Sequence, residues 1–240
     1  MSSYEQEALS ELRRWQKKMR QRPSLLNKLS KDVQMRVNKI IPEKVHRVFT
    51  AAIKQMVQGV LAGSGFINPK PLHAVDLLTR ENSALHKIKL YRNTATAEGA
   101  ITGAGGILLG LADFPLWLTV KIKMLFELAA VYGFDVNDYR ERLYILHIFQ
   151  LTFSSQKGRQ KTYAILESWD EYTNTLPGNL QDFDWRNFQQ EYRDYIDLAK
   201  LLQLVPGIGA AVGAYVNHRL TQKLGKFAIQ AYRMRVMNFV

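Results

Sequence analysis

The chain has 240 residues, enough to bury one large core, and its 47% hydrophobic content excludes a wholly disordered protein. It contains no cysteine, which excludes disulfides, thiolate catalysis and cysteine-ligated metal centres. The formal net charge is +12, and so basic a balance favours an anionic partner, either phospholipid head groups or nucleic acid.

The positive charge is concentrated near the N-terminus. From Arg13 to Lys54 there are thirteen Lys and Arg residues against two acids, whereas the stretch from Glu167 to Asp197 has eight acids against two arginines. The basic stretch is therefore the predicted contact with an anionic surface. The residues expected to make that contact are Arg13, Arg14, Lys17, Lys18, Arg20 and Arg22.

Helical periodicity begins at once. Apolar residues recur three or four positions apart from Leu9 to Met19, which predicts a helix that Pro23 ends. Ser30 suits the N-cap of a short second helix, and Pro42 suits the first turn of a third.

Glycine and proline cluster in residues 63–71 and predict a loop. We therefore divide the chain into a basic helical N-terminal arm, residues 1–62, and an all-α domain, residues 63–240. A single domain continuous with the arm is the alternative.

Helical patterning resumes after this loop. Gly133 is predicted to be the C-cap of one helix, and Asn137 or Asp138 to begin the next. No stretch alternates with the period of two that is typical of strands, so the predicted fold class is all-α. The helices predicted after the loop lie at residues 72–78, 83–106, 114–132, 138–153, 160–172, 185–204 and 206–235.

Two segments, residues 99–120 and 201–216, are apolar and rich in glycine, with glycines four residues apart. Glycine inside a helix costs about 1 kcal/mol relative to alanine, and close approach between helices is the usual compensation. We predict that both segments pack as helices at the centre of the domain. Shallow insertion into a bilayer and a full span are the alternatives, but Pro115 and Pro206 leave each segment short of the roughly 20 apolar residues that a span needs.

Polar residues in and after the first segment have simple explanations. Asp113 is predicted to be the N-cap of the helix that opens at Phe114, and a buried carboxylate is the alternative. Lys121 and Lys123 are expected to be surface lysines whose stems cover apolar neighbours. The five histidines show no metal-ligand spacing, so each is expected to be exposed or hydrogen-bonded, and no metal site or cofactor is predicted.

The sequence resembles the EcsC family, over roughly two-thirds of the chain and in the same order. The matching segments are EGAITGAGG (98–106), LADFP (111–115), AAVYGFD (129–135), VPGIGAAVGAYVN (205–217) and AYRMR (231–235). The resemblance implies a helical protein linked to ABC transporter genes, and it supplies no catalytic residues. Within the matched motifs, Glu98, Asp113 and Asn217 are the polar positions predicted to form a ligand or partner site.

The leading functional hypothesis is a cytoplasmic protein, associated peripherally with the inner face of the cell membrane or with a membrane protein such as an ABC transporter. The first seven residues lack the basic and apolar pattern of a secretory signal. The first alternative is a small-molecule or lipid-binding protein, or a hydrolase, that uses Glu98, Asp113 and Asn217. The second is nucleic-acid binding through the arm, which is disfavoured because the arm has no helix-turn-helix or zinc motif. No P-loop, nucleophile elbow or dinucleotide fingerprint is found, which makes an enzyme the less favoured interpretation.

Overall fold

The structure, a computed structural model, describes residues 1–21, 43–63, 68–104, 114–178, 180–182, 184 and 210–237. The prediction of an all-α fold is confirmed. The helices are α1 Ser3–Arg20, α2 Glu43–Ala62, α3 Leu77–Ala104, α4 Phe114–Val131, α5 Tyr139–Phe153, α6 Gln156–Glu167, α7 Trp169–Asn174 and α8 Ala210–Met237, with a 3-10 turn at Leu180–Asp182.

Several helix ends lie where the sequence predicts them. After α4, Gly133 adopts a left-handed φ of 92°, and its N–H donates to the carbonyl of Ala130 at 2.9 Å, while the N–H of Phe134 donates to Ala129 at 3.0 Å. This is the Schellman arrangement, in which glycine avoids the steric cost of a positive φ. Asp138 then caps α5, because its carboxylate accepts from the N–H of Arg140.

Two boundary predictions are wrong. Residues 68–76 form no helix, and α3 begins six residues earlier than predicted, because the Asp76 carboxylate accepts from both the N–H and the hydroxyl of Thr79 at 2.9 Å. These bonds also lower the pKa of Asp76. The predicted helix 160–172 is two helices that meet at Ser168, whose φ of −107° and ψ of 42° depart from helical values.

The core is built around α5. Every residue from Leu143 to Phe153 is buried, which is typical of a helix enclosed on all sides. α2 packs against α4 and α5, and α8 packs against α3, α4, α5 and α1. Ala8, Leu12 and Met19 of α1 belong to the same hydrophobic core cluster. The arm therefore packs into the core through its described helices, and the division of the chain at residue 63 stays a prediction.

The glycine-rich segments are described in part. Residues 99–104 end α3 and residues 210–216 begin α8, whereas 105–113 and 201–209 lie outside the described residues, as does the predicted helix 185–204. The central helix among the described residues is α5, which contains no glycine. The placement of both segments at the centre stays a prediction. None of the described helices is long and apolar enough to cross a membrane.

α8 approaches α3 closely at Gly225, a position that the sequence analysis does not predict to be special. A Cβ atom there would lie 2.6 Å from Cδ1 and Cγ1 of Ile88 and 2.9 Å from its Cγ2, so the whole Ile88 side chain would have to move. Adding a methyl group to so tight a contact destabilises the fold by about 1–3 kcal/mol. Alanine in place of glycine also stabilises the helix by about 1 kcal/mol, which offsets part of that loss.

We expect Gly225→Ala to lower the free energy of unfolding by about 1 kcal/mol, measured by urea denaturation. In an Ile88→Ala background the clash is gone, so the same substitution should raise the free energy of unfolding by a similar amount. A Gly225→Ala effect of equal sign in both backgrounds would contradict the close approach.

Candidate functional site

A buried polar cluster joins α4 to α8. Lys121 has 0% of its surface exposed, and its Nζ donates to the Oδ1 of Asn217 at 2.9 Å. The indole Nε1 of Trp117 donates to the same oxygen at 2.7 Å. Asn217 is itself only 7% exposed, so one amide oxygen serves two donors inside the protein.

The cluster follows from helical spacing. Trp117 and Lys121 are four residues apart, so both face α8, and the ammonium lies 4.8 Å from the centre of the Trp117 ring. The expectation that Lys121 is a surface lysine is wrong, because the amide oxygen and the ring face stabilise its ammonium in the interior. Lys123 is partly exposed, as expected.

The three predicted site residues are described to different extents. Asn217 is a buried hydrogen-bond acceptor, and Asp113 lies outside the described residues. Glu98 lies in α3, where the structure describes its backbone and not its side chain. α3 and α8 run antiparallel, since Glu81 contacts Arg233 and Ile88 contacts Gly225, and this register places position 98 level with residues 215–216 of α8. Glu98 and Asn217 therefore share one end of the bundle, and their convergence into one site stays a prediction.

A second buried cluster ties α1, α3 and α8 together. Glu81, 2% exposed, accepts from Nε and Nη2 of Arg233 at 2.6 Å each and also accepts from the hydroxyl of Tyr4. The third guanidinium nitrogen donates to Glu11 at 2.7 Å. Although burial lowers the pKa of Arg233, its bonds to Glu81 and Glu11 raise that pKa above the ordinary value. This cluster holds α1 against the core.

A further ion pair involves Arg235, two residues beyond Arg233 on α8. Arg235 pairs with Glu141 of α5, and its guanidinium lies 3.6 Å from the ring centre of Phe134. Tyr232 donates to the other Glu141 oxygen at 2.8 Å. Burial raises the pKa of Glu141, partly offset by Arg235. The polar residues of the AYRMR motif thus have structural partners.

Four of the six predicted surface cations are available to a partner. Arg20 pairs with Glu167, and Arg22 lies outside the described residues. The other four are exposed, and within the described residues none of them forms an ion pair: Arg13, Arg14, Lys17 and Lys18.

A pocket of about 300 Å³ opens at the other end of α8 from Asn217, between Glu5, Arg80 and Met237. None of the three predicted site residues lines it. Within the described ranges, no group of three or more histidine and acidic side chains is placed to hold a metal ion.

Comparison with known proteins finds one family whose model covers nearly the whole chain. The family model of the EcsC protein family matches residues 6–237, which include most of α1 and all of α2 as well as the later helices. Protein EcsC of Bacillus subtilis (strain 168) is 44% identical over 233 residues, covering 97% of this chain and 94% of that protein. Uncharacterized protein YdbA of the same organism is 28% identical over 230 residues, covering 92% and 85%. No solved structure matches.

Proposed function

This chain belongs to the EcsC protein family, and we propose that it docks peripherally on an anionic membrane surface through the outward cations of α1. The family resemblance suggests a membrane protein, such as an ABC transporter, as its neighbour there. The observation that most directly supports this proposal is that four cations project from α1, whose opposite face packs against the core.

The geometry of α1 supports this proposal. Arg13 and Lys17 are four residues apart, as are Arg14 and Lys18, so the four cations form one patch over two turns. The opposite face buries Leu12 and Met19, so this patch stays turned outward when the helix is packed. Each base near an anionic lipid surface contributes about 1 kcal/mol, which gives about 4 kcal/mol for the patch.

The first test is a charge-neutralising variant of α1, R13Q/R14Q/K17Q/K18Q. Loss of about 4 kcal/mol corresponds to about a thousandfold weaker binding to vesicles of phosphatidylglycerol and phosphatidylcholine. Vesicle sedimentation measures this affinity, and binding of the unchanged protein should weaken steeply as salt is raised.

The matched control R13K/R14K keeps the charge and should keep the affinity. Equal binding of the unchanged protein to anionic and to pure phosphatidylcholine vesicles would overturn the proposal. Tighter binding to a DNA duplex than to anionic vesicles at the same salt concentration would reassign the patch to nucleic acid.

A further inference from the structure

A second basic surface lies beside α1, on the outer side of α8. Tyr215, Arg219, Lys226 and Arg233 follow one another at four, seven and seven residues, so they form one stripe along the helix. Tyr215 is 59% exposed, and Arg219 and Lys226 are exposed as well. Arg233 is buried, and Glu11 of α1 accepts a hydrogen bond from it. α1 therefore covers the C-terminal part of this stripe, whereas Tyr215, Arg219 and Lys226 in the rest of it are exposed.

The direction of α1 brings its cations to the same side. Glu11 contacts Arg233, and four residues later the ring of Trp15 lies 5.8 Å from that of Phe227. The two helices therefore run antiparallel, and the basic C-terminal half of α1 points along α8 toward its uncovered stripe. The patch on α1 and the stripe on α8 thus lie on one side of the molecule.

The chemistry of the stripe fits a lipid head-group layer. From Ala210 to Met237, α8 contains no Asp or Glu, so no acid of its own offsets its cations. Nη1 of Arg219 donates to the hydroxyl of Tyr215 at 3.2 Å, and its guanidinium lies 5.6 Å from the ring centre. A tyrosine with an apolar ring and a polar end, next to an arginine, is typical of the boundary between membrane and water.

We propose that the α1–α8 side faces the anionic membrane, with Tyr215 at the head-group level, and that α2 faces away from it. This inference rests on the proposed function and adds the orientation of docking. It divides the basic arm, because α1 packs against α8, α6 and α3, whereas α2 packs against α4 and α5. In the proposed orientation the exposed cations of α2 do not contact the membrane.

α2 offers a matched control for this orientation. Arg47 and Lys54 are exposed and seven residues apart, the same residue types and spacing as Arg219 and Lys226. At about fivefold in affinity per base, R219Q/K226Q should bind anionic vesicles about thirtyfold more weakly than the unchanged protein. R47Q/K54Q should stay within about twofold, because salt screens charges that lie farther than about 10 Å from the surface.

A label reports the contact independently. The chain has no cysteine, so Tyr215→Cys and Gln58→Cys, the latter at an exposed position of α2, can each carry a single polarity-sensitive dye. On anionic vesicles we expect a blue shift of the dye at position 215 and no shift at position 58.

The outcomes separate the two proposals. If R219Q/K226Q and R47Q/K54Q weaken vesicle binding equally, or if the dye shifts to the blue at position 58 and not at 215, the proposed orientation is wrong. The proposed function is still supported in that case, as long as the unchanged protein binds anionic vesicles more tightly than neutral ones. If the unchanged protein does not prefer anionic vesicles, both proposals fail.

Discussion

Glu81→Gln is expected to lower the free energy of unfolding by about 3–5 kcal/mol, the range for breaking a buried ion pair by removing one partner. Glu81 is the main acceptor for Arg233, with two bonds of 2.6 Å, and both side chains are buried. Glutamine has nearly the same shape but no charge, so the guanidinium would keep only the half-exposed Glu11 as an anionic partner in this cluster. Urea denaturation followed by far-ultraviolet circular dichroism measures the loss.

Two variants distinguish the ion pair from simple disruption of packing. E81M/R233M removes both charges, and replacing a buried pair by apolar residues is often neutral, so this double variant should be more stable than Glu81→Gln. Glu11→Gln removes the exposed partner and should cost no more than about 1 kcal/mol. If the double variant were as unstable as Glu81→Gln, the attraction between these two charges would not be the cause.

This cluster also connects stability to docking. Tyr4 and Glu11 attach α1 to Glu81 and Arg233, and Trp15 packs between Tyr163 and Phe227 at ring distances of 5.7 and 5.8 Å. α1 therefore presents its cations as a rigid surface. A fixed patch loses less conformational entropy on binding than a free basic tail, so the core contributes to the proposed affinity through preorganisation.

Local signals predicted the local structure. The C-cap at Gly133 and the start of the next helix at Asn137 or Asp138 are predictable because C-cap and N-cap signals act within a few residues of the chain. The helix predicted over residues 72–78 from helical patterning misses a signal of the same kind at Asp76, whose carboxylate accepts from Thr79 and caps α3. At Ser168, the break between α6 and α7 leaves both helices with apolar faces toward the core, so periodicity alone did not reveal it.

Partners distant in sequence escaped prediction. Lys121 and Asn217 are 96 residues apart and Glu81 and Arg233 are 152 apart, and a single sequence does not indicate which buried charges meet. The sequence does contain a usable signal, since Arg233 lies between Tyr232 and Met234 in the stretch AIQAYRM (228–234), which has no other charged residue. A charge in such a position predicts a buried partner without naming it. Asn217 was selected from its motif, and its donors Lys121 and Trp117 were not.

Asn217→Leu is expected to lower the free energy of unfolding by about 2–3 kcal/mol, because it removes the acceptor of a charged donor in the interior. The ammonium of Lys121 would lose the 2.9 Å bond to Oδ1, and the indole N–H of Trp117 would lose its 2.7 Å bond to the same atom. Asn217→Asp keeps an oxygen for both donors and adds a charge opposite to that of Lys121, so it should be the less damaging substitution. Urea denaturation of the two variants gives the comparison.

The coupled variant decides whether the lysine is responsible. K121M/N217L replaces the donor and the acceptor together, and it should be at least about 1 kcal/mol more stable than Asn217→Leu alone, since no ammonium then lacks this acceptor. Lys123→Met, at the partly exposed lysine two residues on, is the matched control and should not rescue Asn217→Leu. If neither Lys121→Met nor Lys123→Met restores stability to the Asn217→Leu variant, then Asn217 stabilises α8 independently of Lys121. The cluster would then not be a site for the lysine ammonium.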